Sequence, residues 1–185
     1  MPNGIEFFLT QCVQDTTKDW RGWDWHVLDS ERLQQDILQI LFNNSPAFCN
    51  TILGVIGSCI RQPQQQMFDL VVITTTGHKI FMEIKVDSTW SQDQKQRQAD
   101  FLAFKDTRGA MMLFSQSAVR NTRSQVQAVG NGRFVKISYT ELYKALDAVR
   151  QSGGPPELTE FADGYKVALQ QQEQRTRDRF GDPDA

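Results

Sequence analysis

The sequence predicts a three-layer α/β fold, a mixed central sheet flanked by helices, on three observations. Phe68 to Ile73 and Ile80 to Val86 both alternate with the period of a strand and are joined through a glycine turn. From residue 91 onward, segments with helical and strand periods alternate, the order that places helices against a sheet. With 185 residues, 39% of them hydrophobic, the chain can bury one core of ordinary size.

Each element follows from local pattern. Ser30 to Asn43 carries Leu33, Ile37, Ile40 and Leu41 on one helical stripe, with Asp29 or Ser30 available as N-cap. Ser45-Pro46 opens a second short helix through Phe48, Ile52, Leu53 and Ile56, weakened by Gly54 and Gly57. The two strands come next, with Gly77 where a hairpin needs positive φ. Residues 91 to 105 read as a polar helix, Ala110 to Phe114 as a buried strand, and Ser117 to Val129 as another polar helix. Phe134 to Ile137 is a strand, followed by a helix whose start is doubly marked: Ser138 and Glu141 form a capping box, and Ile137 can staple against Leu142. Gly153-Gly154-Pro155-Pro156 breaks the chain. Leu158, Phe161, Tyr165 and Leu169 then mark a last amphipathic helix, expected to fray from Gln170. The expected organisation is a domain over residues 1–152 with an N-terminal extension, and a helix and polar tail over 153–185 packed on it.

Composition narrows the function. No apolar run approaches the ~18 residues of a membrane span, and no basic stretch precedes Phe7-Phe8-Leu9, so neither membrane insertion nor a secretory signal is expected. Cys12, Cys49 and Cys59 are odd in number and form no CxxC pair, which argues against disulfides or zinc and for a cytoplasmic setting. The net charge of -2 hides a gradient: residues 1–40 carry 7 acids and 3 bases, whereas residues 91–136 carry 3 acids and 8 bases. A local basic surface can therefore meet phosphate on an otherwise acidic protein. Lys95, Arg97, Arg120 and Arg123 are its candidate nucleic-acid contacts, with exposed helix faces as the plainer reading. The tryptophans of Trp20-Arg21-Gly22-Trp23-Asp24-Trp25 fit the cap of a core or groove better than a base-stacking site.

The chemistry concentrates in the hairpin. On a strand, Glu83 and Lys85 share a face and Ile84 takes the other. A turn centred on Gly77, with opposed residues summing to 154, sets Asp69 opposite Lys85 and diagonal to Glu83, about 7–8 Å apart at the backbone. Two carboxylates that close are unfavourable unless a cation or proton lies between them. All-oxygen ligands suit Mg²⁺ or Mn²⁺ and not zinc, and Lys85 on the same face can hold a water nucleophile or stabilise charge on phosphate. That chemistry is phosphodiester hydrolysis.

Phe68-Asp69-Leu70-Val71-Val72-Ile73 followed by Ile80-Phe81-Met82-Glu83-Ile84-Lys85-Val86, an acid and then E-x-K 14 residues later across a glycine turn, resembles the metal-binding core of the PD-(D/E)XK nuclease superfamily. The resemblance covers roughly residues 30–150. It implies a restriction-endonuclease-like core in which Asp69, Glu83 and the Ile84 carbonyl hold Mg²⁺ or Mn²⁺ and Lys85 serves the nucleophile. It also implies a Gln on the following helix, for which Gln94 and Gln98 are the candidates, and an upstream acid, for which Glu31 is the best match and Asp36 a competitor. Phe68 stands where the family often has Pro, and Gln94 to Gln98 replaces its Q-x-x-x-Y pattern without a Tyr.

The expected activity is therefore metal-dependent hydrolysis of DNA. RNA ranks lower, because no aromatic RNA-reading pattern is visible. Without a separate DNA-reading motif, specificity is expected from DNA shape, from an accessory protein or from a homodimer. The alternative is a catalytically inactive nuclease-fold protein that binds or regulates a partner.

Overall fold

The computed structural model describes residues 31–61, 67–86, 91–104, 108–114, 125–129 and 132–180. The chain runs α1 (Glu31–Asn44), α2 (Pro46–Leu53), β1 (Gly57–Arg61), β2 (Leu70–Thr74), β3 (Lys79–Val86), α3 (Gln92–Phe104), β4 (Arg108–Phe114), β5 (Gln125–Val129), β6 (Gly132–Ile137), α4 (Tyr139–Gln151) and α5 (Pro156–Phe180). Six strands form one mixed sheet in the order β1-β2-β3-β4-β6-β5. β1, β2 and β3 make an antiparallel meander, β3, β4 and β6 run parallel, and β5 returns antiparallel to β6. The two parallel pairings need crossovers, and α3 supplies the one between β3 and β4.

Strand β3 separates the two sides of the sheet. Ile80, Met82 and Ile84 are all but fully buried on one side, in a core completed by side chains of α1, α2, α4 and α5 such as Leu38, Phe48, Leu146 and Phe161. On the other side Phe81 meets Phe68 and Phe101 with ring centroids 5.3 and 5.1 Å away, and Phe68 and Phe101 are 5.8 Å apart. This three-ring cluster ties α3 to β3 and to the segment that leads into β2. It fixes the helix that carries Gln94 and Gln98.

Four expectations need correction. The helix after Pro46 ends at Leu53, because Gly54 adopts φ +67° as its C-cap and returns its N–H to the Asn50 carbonyl. The chain then forms β1, an edge strand not expected from sequence. It begins at Gly57, where a Cβ would stand 2.4 Å from the Ile73 carbonyl oxygen, too close for any other residue without movement. Within the span expected as a polar helix, Gln125–Val129 is instead strand β5, paired from Gln125↔Lys136 to Val129↔Gly132. Gln125-Val126-Gln127-Ala128 alternates polar and apolar residues, the period of a strand.

The last helix, finally, does not fray at Gln170 but continues to Phe180. Its distal half is held by α4. Tyr139 Oη donates to Gln172 Oε1 at 3.2 Å and Tyr143 Oη to Glu173 Oε2 at 2.6 Å, while Thr176 is buried. One turn into α1, Gln34 accepts a 2.5 Å hydrogen bond from the buried Tyr165 hydroxyl, tying α5 to the helix that begins with Glu31. Tyr165→Phe removes that donor and is expected to lower stability by about 1–2 kcal/mol in chemical denaturation, with the fold retained.

Other features match their local signals. Ser45 and Ser138 cap α2 and α4 by accepting from the Phe48 and Glu141 amides at 3.1 and 3.3 Å, and Ile137 and Leu142 are both buried. Cys49 and Cys59 are buried thiols, and burial pushes the Cys59 thiol up to about 12, far from the range of reactive cysteines. Among the described residues no helix is long and apolar enough to cross a membrane. Cys12 and the tryptophan cluster lie outside the described residues.

Candidate functional site

The hairpin turn decides where the carboxylates go. Thr74 N–H donates to the His78 carbonyl at 2.8 Å and Gly77 N–H to the Thr74 carbonyl at 2.9 Å, with Gly77 at φ +81°. Thr75-Thr76-Gly77 is thus a three-residue loop ending in a left-handed glycine. Its centre is Thr76 rather than Gly77. The register from Leu70↔Met82 to Ile73↔Lys79 accordingly sums to 152 and not 154, a shift of two residues that preserves the faces.

The shift places Asp69 beside Met82, Glu83 and Ile84 instead of opposite Lys85. The Asp69 amide donates to the Met82 carbonyl at 3.0 Å, and Asp69 Oδ2 accepts the Ile84 N–H at 2.8 Å. A side-chain oxygen here takes the place of a backbone acceptor just before β2 begins, and the bond pins the carboxylate at the strand edge. In an antiparallel strand, the N–H and C=O of one residue point to the same neighbour, so the Ile84 carbonyl turns toward that edge as well.

Glu83 is 2% exposed and receives donors on both oxygens. Gln94 Nε2 donates to Oε1 and Gln98 Nε2 to Oε2, each at 2.8 Å, and Lys85 Nζ lies 2.5 Å from Oε1. Gln98, fully buried, also donates from Nε2 to the Met67 carbonyl at 2.7 Å. Both hydrogens of one amide thereby tie the Glu83 carboxylate to the segment that delivers Asp69. Gln94 and Gln98 are one helical turn apart, which is why the two amides reach the same carboxylate.

Burial first, and the charge of Glu83 second, push the Asp69 carboxyl up to about 6, against the pull of the Ile84 N–H and the Lys85 ammonium. Burial pulls Lys85 the other way, but its hydrogen bond to Glu83 and the charges of Glu83, Glu31 and Asp69 together hold it above the ordinary lysine value. Glu31, at the start of α1, is near enough for its charge to raise both Asp69 and Lys85. Asp36, its competitor, is a buried residue of the same helix. The structure therefore gathers Asp69, Glu83, Lys85, Gln94, Gln98 and Glu31 around one strand edge.

Among the described residues no three His, Cys, Asp or Glu side chains form a ready-made metal cage. What the site offers is two carboxylates in electrostatic contact and a main-chain carbonyl turned the same way. This all-oxygen set suits a hard divalent ion once Asp69 is ionised. Of the candidate nucleic-acid contacts, Lys95 is half-buried and Arg97 exposed on α3, beside the glutamines. Arg120 and Arg123 lie outside the described residues.

Sequence reasoning did not find the bond from Gln98 to the Met67 carbonyl, since it joins residues 31 positions apart. Gln98→Leu keeps the volume but removes both donors. It is expected to lower stability by about 1–3 kcal/mol, measured by chemical denaturation.

Comparison with protein-family models, curated proteins and solved structures finds no match to this chain.

Proposed function

We propose that the protein is a metal-dependent nuclease that hydrolyses DNA phosphodiester bonds, on a restriction-endonuclease-like core with helices on both faces of the sheet. One observation carries the reading: Asp69 and Glu83 meet at a strand edge with Lys85 on the same carboxylate, and Asp69 is raised to about 6 by burial and by its neighbour's charge. Such a pairing is costly to a fold unless a cation or a proton is part of its work.

Asp69, Glu83 and the Ile84 carbonyl would hold Mg²⁺ or Mn²⁺. When bound, the ion supplies Lewis-acid polarisation of the phosphoryl group and a more acidic water. Lys85 orients the attacking water or stabilises the charge that develops on phosphate. Gln94 and Gln98 keep the Glu83 carboxylate in a single orientation, and Glu31 adds to the negative field that draws a cation inward. Lys95 and Arg97, next to the glutamines, supply positive charge for the DNA backbone. Specificity comes from DNA shape, a second copy of the chain or an accessory protein.

The test is incubation of the purified protein with plasmid and linear DNA in Mg²⁺ or Mn²⁺, beside Glu83→Ala and Lys85→Ala. Metal-dependent cleavage by the wild type alone is expected. Equal cleavage by all three proteins, or by none, removes the reading. A second reading, an inactive nuclease-fold binding module, is favoured by the two amides and the ammonium already on Glu83, which leave that carboxylate with a counter-charge in the absence of metal. It predicts that cleavage is absent in all three.

A further inference from the structure

The donors on Glu83 are not equivalent. A carboxylate offers about four lone-pair positions, two on each oxygen. Gln94 Nε2 and Lys85 Nζ occupy Oε1, and Gln98 Nε2 takes one position on Oε2. The glutamine amides are neutral and stand on a helix fixed by the Phe68, Phe81 and Phe101 cluster. Lys85 alone brings charge, on a flexible stem from the same strand, and its side chain is 13% exposed, so it has a way out toward solvent. Among the described residues Asp69 Oδ1 accepts no hydrogen bond, and Asp69 Oδ2 takes only the Ile84 N–H.

From these positions we infer that Lys85 is an internal counter-ion of the resting site: its ammonium neutralises Glu83 where a divalent cation would otherwise sit, and must withdraw before one binds. The inference rests on the metal-centre reading given above and adds a second task for Lys85. Like charges at hydrogen-bonding range repel strongly in a partly buried site. A metal ion on Oε1 and an ammonium at 2.5 Å from the same oxygen are therefore alternatives. The neutral glutamines need not move. Once displaced outward, the ammonium is available to an anionic phosphate, so the group that keeps metal out of the empty site becomes a substrate contact in the filled one. Lys85 then lowers intrinsic metal affinity while supporting the reaction.

Calorimetric titration with Mn²⁺ at pH 8, where Asp69 is ionised, separates these tasks in four proteins: wild type, Lys85→Gln, Lys85→Arg and Glu83→Gln. Lys85→Gln keeps a donor for Glu83 but no charge, and is expected to bind one Mn²⁺ roughly tenfold more tightly than wild type. Lys85→Arg keeps the charge and is expected to remain as weak as wild type, and Glu83→Gln to lose binding. A wild-type measurement needs no variant to fold: the Lys85 ammonium resonance in ¹⁵N NMR is expected to shift or broaden away as Mg²⁺ saturates the site. If Lys85→Gln binds no more tightly than wild type while Glu83→Gln loses binding, or if the ammonium signal is unmoved at saturation, the counter-ion role is overturned and the metal centre stands. Binding by none of the four proteins removes both.

Discussion

Glu83→Gln is expected to reduce metal-dependent cleavage by roughly three orders of magnitude and to destabilise the protein at the same time. Glu83 is nearly inaccessible and accepts from Gln94, Gln98 and Lys85. A Gln side chain presents one acceptor oxygen and one donor nitrogen, so at least one of the three donors faces another donor, and Lys85 loses its counter-charge. Leaving a largely buried charge without its partner costs about 3–5 kcal/mol, and partial rearrangement of Lys85 toward solvent places the expected loss near the lower end. Chemical denaturation measures the stability change. The cleavage assay is read only where circular dichroism shows the variant folded, so that lost chemistry is separated from lost structure.

Asp69→Asn is expected to act in opposite directions on stability and activity. The folded protein holds the Asp69 carboxyl at about 6, above its ordinary 3.8, because of burial and the Glu83 charge. A raised folded-state pKa means that the protonated form is favoured by folding. The stability linked to this group is therefore complete below pH 3.8 and is lost as pH rises through about 6. At pH 8 without metal, Asn should make the protein more stable than wild type by about 2 kcal/mol, after allowance for the partial exposure of the carboxyl. The advantage should vanish toward pH 4. Cleavage should be lost at every pH, and added Mg²⁺ should stabilise the wild type but not the variant. Urea denaturation at pH 4, 6 and 8, with and without Mg²⁺, tests the three stability statements, and cleavage assays over the same pH range test the fourth. A variant that is less stable than wild type at pH 8 would contradict the electrostatic account of this edge.

The parts of the fold written in local pattern were legible without coordinates. Ser138 with Glu141 marks the start of α4, and Ser45-Pro46 that of α2, because a cap is a relation between residues three apart. The faces of the hairpin were legible too, since the shift of two in register leaves every side chain on its own side. The register itself was not. Gly77 signals a left-handed residue but not its place within the loop, and the structure makes it the last of three loop residues instead of the central one.

Elements set by distant partners were harder to read. β1 exists because Gly57 allows close approach to Ile73, and β5 because β6 stands ready to pair with it. The distal half of α5, polar in sequence, is helical where Tyr139 and Tyr143 reach across to it. In the site, E-x-K and the earlier acid were visible as spacing, and Gln94 and Gln98 as a helical pair. The clamp from Gln98 to the Met67 carbonyl depends on tertiary contact and left no trace in spacing.

The most direct measurement of the central claim is the anomalous difference density of a crystal soaked in Mn²⁺ with a short DNA duplex. A single manganese peak within ligand distance of both the Asp69 and Glu83 carboxylates, next to a phosphate, is the predicted result. Manganese bound elsewhere, or a duplex seated away from this strand edge with the two carboxylates unligated, would contradict it.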